Sequence, residues 1–146
     1  MRWSLNQALI SEVESSGYIA VRASVKGISV VIPVQELSNF KGEAYVFTIE
    51  EVQEHSLSES ARTAIEGIPR HSEVFTVRVE GKADVELILV SIALPENANP
   101  DQYRIAAINA QNSTLSYPET SLTVVQGVAC IEGYVLNGSI CFLAMK

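Results

Sequence analysis

The chain has 146 residues, 47% of them hydrophobic and 18% charged, with a net charge of −7. That length suits one domain spanning 1–146, with a core that needs no disulfide or metal, and the composition excludes intrinsic disorder, which requires low hydrophobicity and high charge. The ten basic residues are scattered singly from Arg2 to Lys146, which argues against a nucleic-acid backbone as partner, and no stretch approaches the roughly 18 apolar residues that cross a bilayer.

The opening Met-Arg-Trp-Ser-Leu-Asn-Gln is broken by polar residues before an apolar run can build. It does not read as a secretory signal, so synthesis in the cytosol is expected and the final location stays open. Ser4 and Gln7 then form a capping-box pattern, flanked by Trp3 and Ala8 at staple positions. Leu5, Ala8, Leu9 and Val13 recur at helical spacing and Ser15-Ser16-Gly17 supplies a stop, predicting a short helix.

A hairpin follows. A two-residue turn at Lys26-Gly27 pairs Val25 with Ile28, Ala23 with Val30, Val21 with Ile32 and Ile19 with Val34, all apolar and on one face. Pro33 cannot donate to a ladder and marks an end or an edge. Residues 43–50 alternate Tyr45, Phe47 and Ile49 with Ala44, Val46 and Thr48, predicting a strand. A second helix reads from a Ser56/Glu59 capping box, along Leu57, Ala61, Ile65 and Ile68, to Gly67 and Pro69. Phe75, Val77 and Val79 face Val85, Leu87 and Leu89 if Gly81-Lys82-Ala83 forms a turn, which sets Arg78 opposite Glu86. After a Pro/Asn-rich loop at 95–101, further strands begin near Tyr103, Leu122 and Ile140, with 128–136 separate from or continuous with the second.

Strands and helices do not alternate regularly, so a parallel fold is not expected. The expected class is mainly β: an antiparallel β-sandwich or rolled sheet of about seven to nine strands with two short peripheral helices. Tyr103-Arg104-Ile105-Ala106-Ala107-Ile108-Asn109-Ala110, preceded by Leu94-Pro95, resembles the penultimate strand of a fibronectin type III domain. The likeness covers about 20 residues and implies a sandwich strand and no function; that family's core Trp has no counterpart, since Trp3 lies ahead of the first helix.

No nucleophile elbow, phosphate-binding loop, dinucleotide fingerprint, zinc-protease motif or EF-hand loop occurs. His55 and His71 stand singly beside helix ends and, with the two cysteines, lack the close spacing of a zinc site. Glu50, Glu51, Glu54 and Glu59 read as a solvated helix approach; a cation site or a docking face for a basic partner is the sharper alternative. Asn112-Ser113-Thr114 and Asn137-Gly138-Ser139 match the glycosylation pattern, the second being turn chemistry. No catalytic residue, cofactor or metal ligand is assigned, and an enzyme is not expected. If the chain turns at Asn137-Gly138, Leu136 faces Ser139, Cys141 faces Tyr134, and Cys130 lies about 13 Å further along the strand, beyond disulfide reach. Both thiols are expected free and buried.

Charge is unevenly spread: residues 105–145 contain only Glu119 and Glu132. The segments 128–131 and 140–145 are apolar on both faces, which requires burial on both sides. The interface candidates are therefore Val128, Cys130, Ile140, Phe142, Leu143 and Met145. The expected function is a non-catalytic structural subunit of a homo-oligomeric assembly such as a virus or phage particle, its partners being copies of itself or other assembly subunits. The alternative is a module that binds a glycan or protein through loops 95–102 and 111–119.

Overall fold

The computed structural model describes residues 1–40, 44–81 and 85–146. In chain order the strands are β1 (Arg2–Leu5), β2 (Ala20–Val25), β3 (Ile28–Pro33), β4 (Tyr45–Glu51), β5 (Phe75–Glu80), β6 (Leu87–Ala93), β7 (Tyr103–Ile108), β8 (Leu115–Ser116), β9 (Ser121–Val125), β10 (Val128–Leu136) and β11 (Ile140–Met145). The helices are α1 (Gln7–Ser15) and α2 (Glu59–Glu66). One sheet runs β1-β4-β5-β11-β7-β8 and the other β2-β3-β6-β10-β9. Every pairing is antiparallel, so the protein is a β-sandwich, with more strands than the seven to nine expected because β1 and the two-residue β8 were not legible.

The β2–β3 hairpin has the derived register, with Val25 opposite Ile28, Ala23 opposite Val30 and Val21 opposite Ile32. Lys26 and Gly27 both have positive φ, 49° and 84°, as a type I′ turn requires. The fourth pair lies past the strand ends: the Val34 N–H still bonds to the Ile19 carbonyl, but the Ile19 side chain is exposed.

Both helix starts differ from expectation. Ser4 lies in β1 opposite Val46, and the Asn6 side chain caps α1 by accepting from the Leu9 N–H at 2.9 Å. Trp3, instead of stapling the helix, stacks on Phe47 with ring centroids 4.4 Å apart. Sheet pairing and aromatic burial outweigh a local capping pattern worth about 1 kcal/mol. Ser58, not Ser56, caps α2 through the Ala61 N–H, while Ser56 closes a preceding 3₁₀ turn on the Gln53 carbonyl.

Two expected hairpins are instead crossovers. β5 pairs with β4 and β11, whereas β6 pairs with β3 and β10 in the other sheet, so Phe75–Val79 does not face Val85–Leu89. The expected turn at Lys82-Ala83 lies outside the described residues. Arg78 stands opposite Thr48 and contacts Glu80 at 3.2 Å, not Glu86. Likewise the turn at Asn137-Gly138 leads from β10 across to β11 in the opposite sheet, so Cys141 does not face Tyr134. Alternating strands joined by a short turn suit either arrangement, since both leave the apolar face inward.

Asn137 ties this corner. Its Nδ2 donates to the carbonyls of Val79 and Val85, both at 2.9 Å, and its Oδ1 accepts from the Val79 N–H at 2.8 Å.

The main core lies between the sheets, where Phe47, Ile49, Val77, Val90, Ile92, Ile105, Ile131 and Leu143 are buried together. A second core lies on the outer side of the six-stranded sheet: Ile140, Phe142 and Ala144 from β11 and Ala106 and Ile108 from β7 pack beneath Ala61 and Ile65 of α2. Alternation along β11 therefore feeds two cores, which is why that strand is apolar on both faces.

This corrects the interface reading for Ile140, Phe142 and Leu143. All three are buried within the isolated chain, on the strand that holds β5 and β7 together. Phe142→Ala is expected to cost about 3–5 kcal/mol, whereas Val128→Ala, half exposed on an outer face, should change stability by no more than about 0.5 kcal/mol. Urea-unfolding midpoints of the two variants test the assignment.

Candidate functional site

The two outer faces of the sandwich differ. α2 covers the six-stranded sheet, while among the described residues no α-helix packs on the outer face of the five-stranded one, and Glu36 reaches over it from the 3₁₀ turn Val34–Phe40. The ladder fixes what that bare face displays. One row reads Ser24, Ser29, Ser91, Glu132 and Ser121 across the five strands; the next reads Arg22, Val31, Leu89 and Tyr134.

Long polar-tipped side chains cover the middle of this face. Arg22 on β2 reaches across β3 and β6 to Glu132 on β10, with Nη2 2.8 Å from Oε1. The bridge passes over small Ser29 and Ser91, which are buried although no helix lies above them. From the other side, the Tyr134 hydroxyl donates to Glu36 Oε2 at 2.8 Å, and Val31, on the same face, is buried. Partial desolvation, then the bond to Glu36, raises the Tyr134 phenol above its ordinary range.

Toward one end the cover stops. Leu87 and Leu136 stand directly opposite each other and are 52% and 44% exposed, with Tyr134 half exposed beside them. Along β10 a cleft of about 520 Å³ is lined by Leu89, Glu119, Thr120, Ser121, Glu132, Gly133 and Tyr134. Gly133 allows it: a Cβ there would lie 2.8 Å from the Glu119 carbonyl oxygen, so only glycine lets segment 118–120 lie against β10. Arg104 over the Tyr117 ring, 3.5 Å from its centroid, holds the start of that segment.

The other candidates separate. Cys130 is buried on the outer face of β10, Val128 is half exposed near it, and Met145 sits at the exposed end of β11. Six candidates chosen as one surface thus fall on two sheets, and only Val128 and Met145 are exposed. Leu87, Tyr134 and Leu136 were missed because their exposure depends on which face α2 leaves bare.

Glu51 meets Lys26, which links the β2–β3 turn to the end of β4; the hydrogen bond from Lys26 holds the Glu51 carboxyl below its usual range. Glu54 pairs with Arg70, and Glu59 opens α2. The expected acidic group is thus divided among separate partners. Among the described residues no group of three or more His, Cys, Asp or Glu side chains is placed to hold a metal ion, and no helix is long and apolar enough to cross a membrane. His55 is exposed, and His71 meets Tyr103 edge-on. Loop 95–102 precedes β7 and the turn at 109–114 follows it, so the two loops of the alternative reading start at opposite ends of one strand. The Asn137 amide is committed to the corner, and Asn112 accepts from the Thr114 N–H.

Comparison with known protein families, curated proteins and solved structures finds no match to this chain. The fibronectin-like segment is β7, which lies between β11 and β8.

Cys130 and Cys141 are free and buried, as expected, and lie in opposite sheets. Complete burial pushes the Cys141 thiol up to about 12. A folded-state value raised in this way means that the unfolded chain loses its proton first. Stability should therefore fall between the ordinary thiol range, near pH 9, and about pH 12, and Cys141→Ala should flatten that fall. Glu132→Ala leaves Arg22 without its partner on a partly buried face and should cost about 1–2 kcal/mol at neutral pH. Denaturant titrations across the alkaline range and at pH 7 measure both effects.

Proposed function

We propose that this chain is a non-catalytic structural subunit of a homo-oligomeric assembly, of the kind from which virus and phage particles are built. It meets its neighbours through the bare outer face of the five-stranded sheet. The observation that carries this reading is the unequal cover of the sandwich: one outer face lies beneath α2, while the other leaves Leu87, Tyr134 and Leu136 adjacent and in contact with water. An apolar cluster beside an otherwise weakly charged sheet is characteristic of a contact surface. Glu132, the one charge that β9 and β10 carry, is already paired with Arg22, so covering these two strands leaves neither of those charges without its partner. Burying each leucine side chain against a neighbour contributes about 1.5–3 kcal/mol at full burial.

Sedimentation or light scattering across the micromolar range tests the reading. The wild-type protein is expected to exceed the monomer mass, and Leu87→Lys with Leu136→Lys should lower that mass without loss of β signal in circular dichroism. A wild-type chain that stays monomeric throughout would sink the proposal.

A further inference from the structure

The sandwich has four sheet edges, formed by β1, β8, β2 and β9. Edge strands carry unpaired backbone groups, and proteins normally blunt them with charge, proline, a bulge or short length. β1 carries Arg2, β2 carries Arg22, and β8 is two residues long. β9 has none of these protections: Ser121-Leu122-Thr123-Val124-Val125 is uncharged and pairs with β10 without a bulge along its whole length. Leu122 and Val124 point to the inner side of the sheet, yet they are 57% and 66% exposed, because the facing sheet ends at the short β8.

The backbone of β9 is oriented for an added strand. Gln126 and Gly127 have φ of 50° and 81°, a type I′ turn, which makes Val125 and Val128 a hydrogen-bonded pair, and likewise Thr123 with Cys130. The N–H and C=O groups of Leu122 and Val124 therefore point away from β10, at the open edge.

We propose that β9 pairs antiparallel with β9 of a second copy of this chain, about a twofold axis through Thr123, joining two five-stranded sheets into one continuous sheet. This rests on the homo-oligomeric reading above and names a contact distinct from the bare face. The strand is self-complementary. With Thr123 opposite Thr123 of the second copy, Leu122 meets Val124 in both directions, and both residues have their free backbone groups at that edge. The four side chains form one apolar cluster on the inner side. Charge agrees: Glu119 falls opposite Gly127 of the second copy, so no two like charges are opposed, and β9 itself has none to repel its own image. An edge bearing Lys or Glu at 122 or 124 would fail that condition.

Val124→Lys tests the pairing at an exposed position, where folding should survive, as judged by circular dichroism and melting temperature. Its mass in sedimentation should fall to half that of the wild type. Thr123→Cys in a Cys130→Ala background reads the register directly, since Cys130 otherwise lies opposite Thr123 within the chain. Across the axis the two Cα atoms of a non-hydrogen-bonded pair stand about 4.5 Å apart, within disulfide range, so oxidation should give a covalent dimer. Ser121→Cys in the same background is about 13 Å from its mate and should not cross-link. Unchanged mass for Val124→Lys, or no cross-link from Thr123→Cys, overturns the proposal. If the wild type is a monomer, both readings fall. If its oligomer survives Val124→Lys but not Leu87→Lys with Leu136→Lys, only the edge pairing falls.

Discussion

β11 sets the terms for the rest of the molecule. Cys141 and Leu143 project to one side and Ile140, Phe142 and Ala144 to the other, and none of the five tolerates water without losing about 1 kcal/mol or more per side chain. A strand of this kind needs a layer on each side. The five-stranded sheet supplies one, and α2 supplies the other by laying Ala61 and Ile65 over β11 and β7. The sandwich is therefore three layers deep at its centre, and its two outer faces cannot be alike.

What remains bare is handled by side chains instead of by a helix. Arg22 with Glu132, and Tyr134 with Glu36, lie across the five-stranded sheet and shield Val31, Ser29 and Ser91. Both contacts use long stems that cover apolar surface while their polar ends stay near water. Cover of this type can be rearranged more easily than a packed helix, since no backbone has to move. Lys26 with Glu51 and the Asn137 amide link the two sheets at their margins. The margins of the inter-sheet core are thus of two kinds, polar ties at these points and apolar closure elsewhere, where Ile10 and Val13 of α1 pack with Leu37 and Phe40 into the same cluster.

Sequence legibility followed the range of the interactions. The β2–β3 register was readable because pattern and turn both lie within fifteen residues and select the same pairing. The doubly apolar character of 140–145 was readable too, and it correctly required burial on both sides. What covers the strand was not readable: α2 reaches it from some eighty residues away, so burial within the chain and burial against a neighbour leave the same mark. The same limit explains the two false hairpins. Asn137-Gly138 does form a turn, but whether the chain then pairs or crosses is decided by partners such as Thr76 and Ile108 that no local rule contains. At α1, Trp3 was assigned to a helix staple because its stacking partner, Phe47, arrives only with β4.

The strand order also has a consequence in time. β11 lies between β5 and β7, and β10 joins the β9 edge to β6. A chain emerging from the ribosome at about 5–20 residues per second therefore makes β1, β4 and β5 on one side of a gap and β7 and β8 on the other. Neither sheet can close until the residues from Val128 onward are free. Until then the edges of β5, β6 and β7 are open together, with their apolar faces turned to water. During that interval the nascent chain is at its most vulnerable to pairing with the wrong strand, including the same strand on a neighbouring nascent copy.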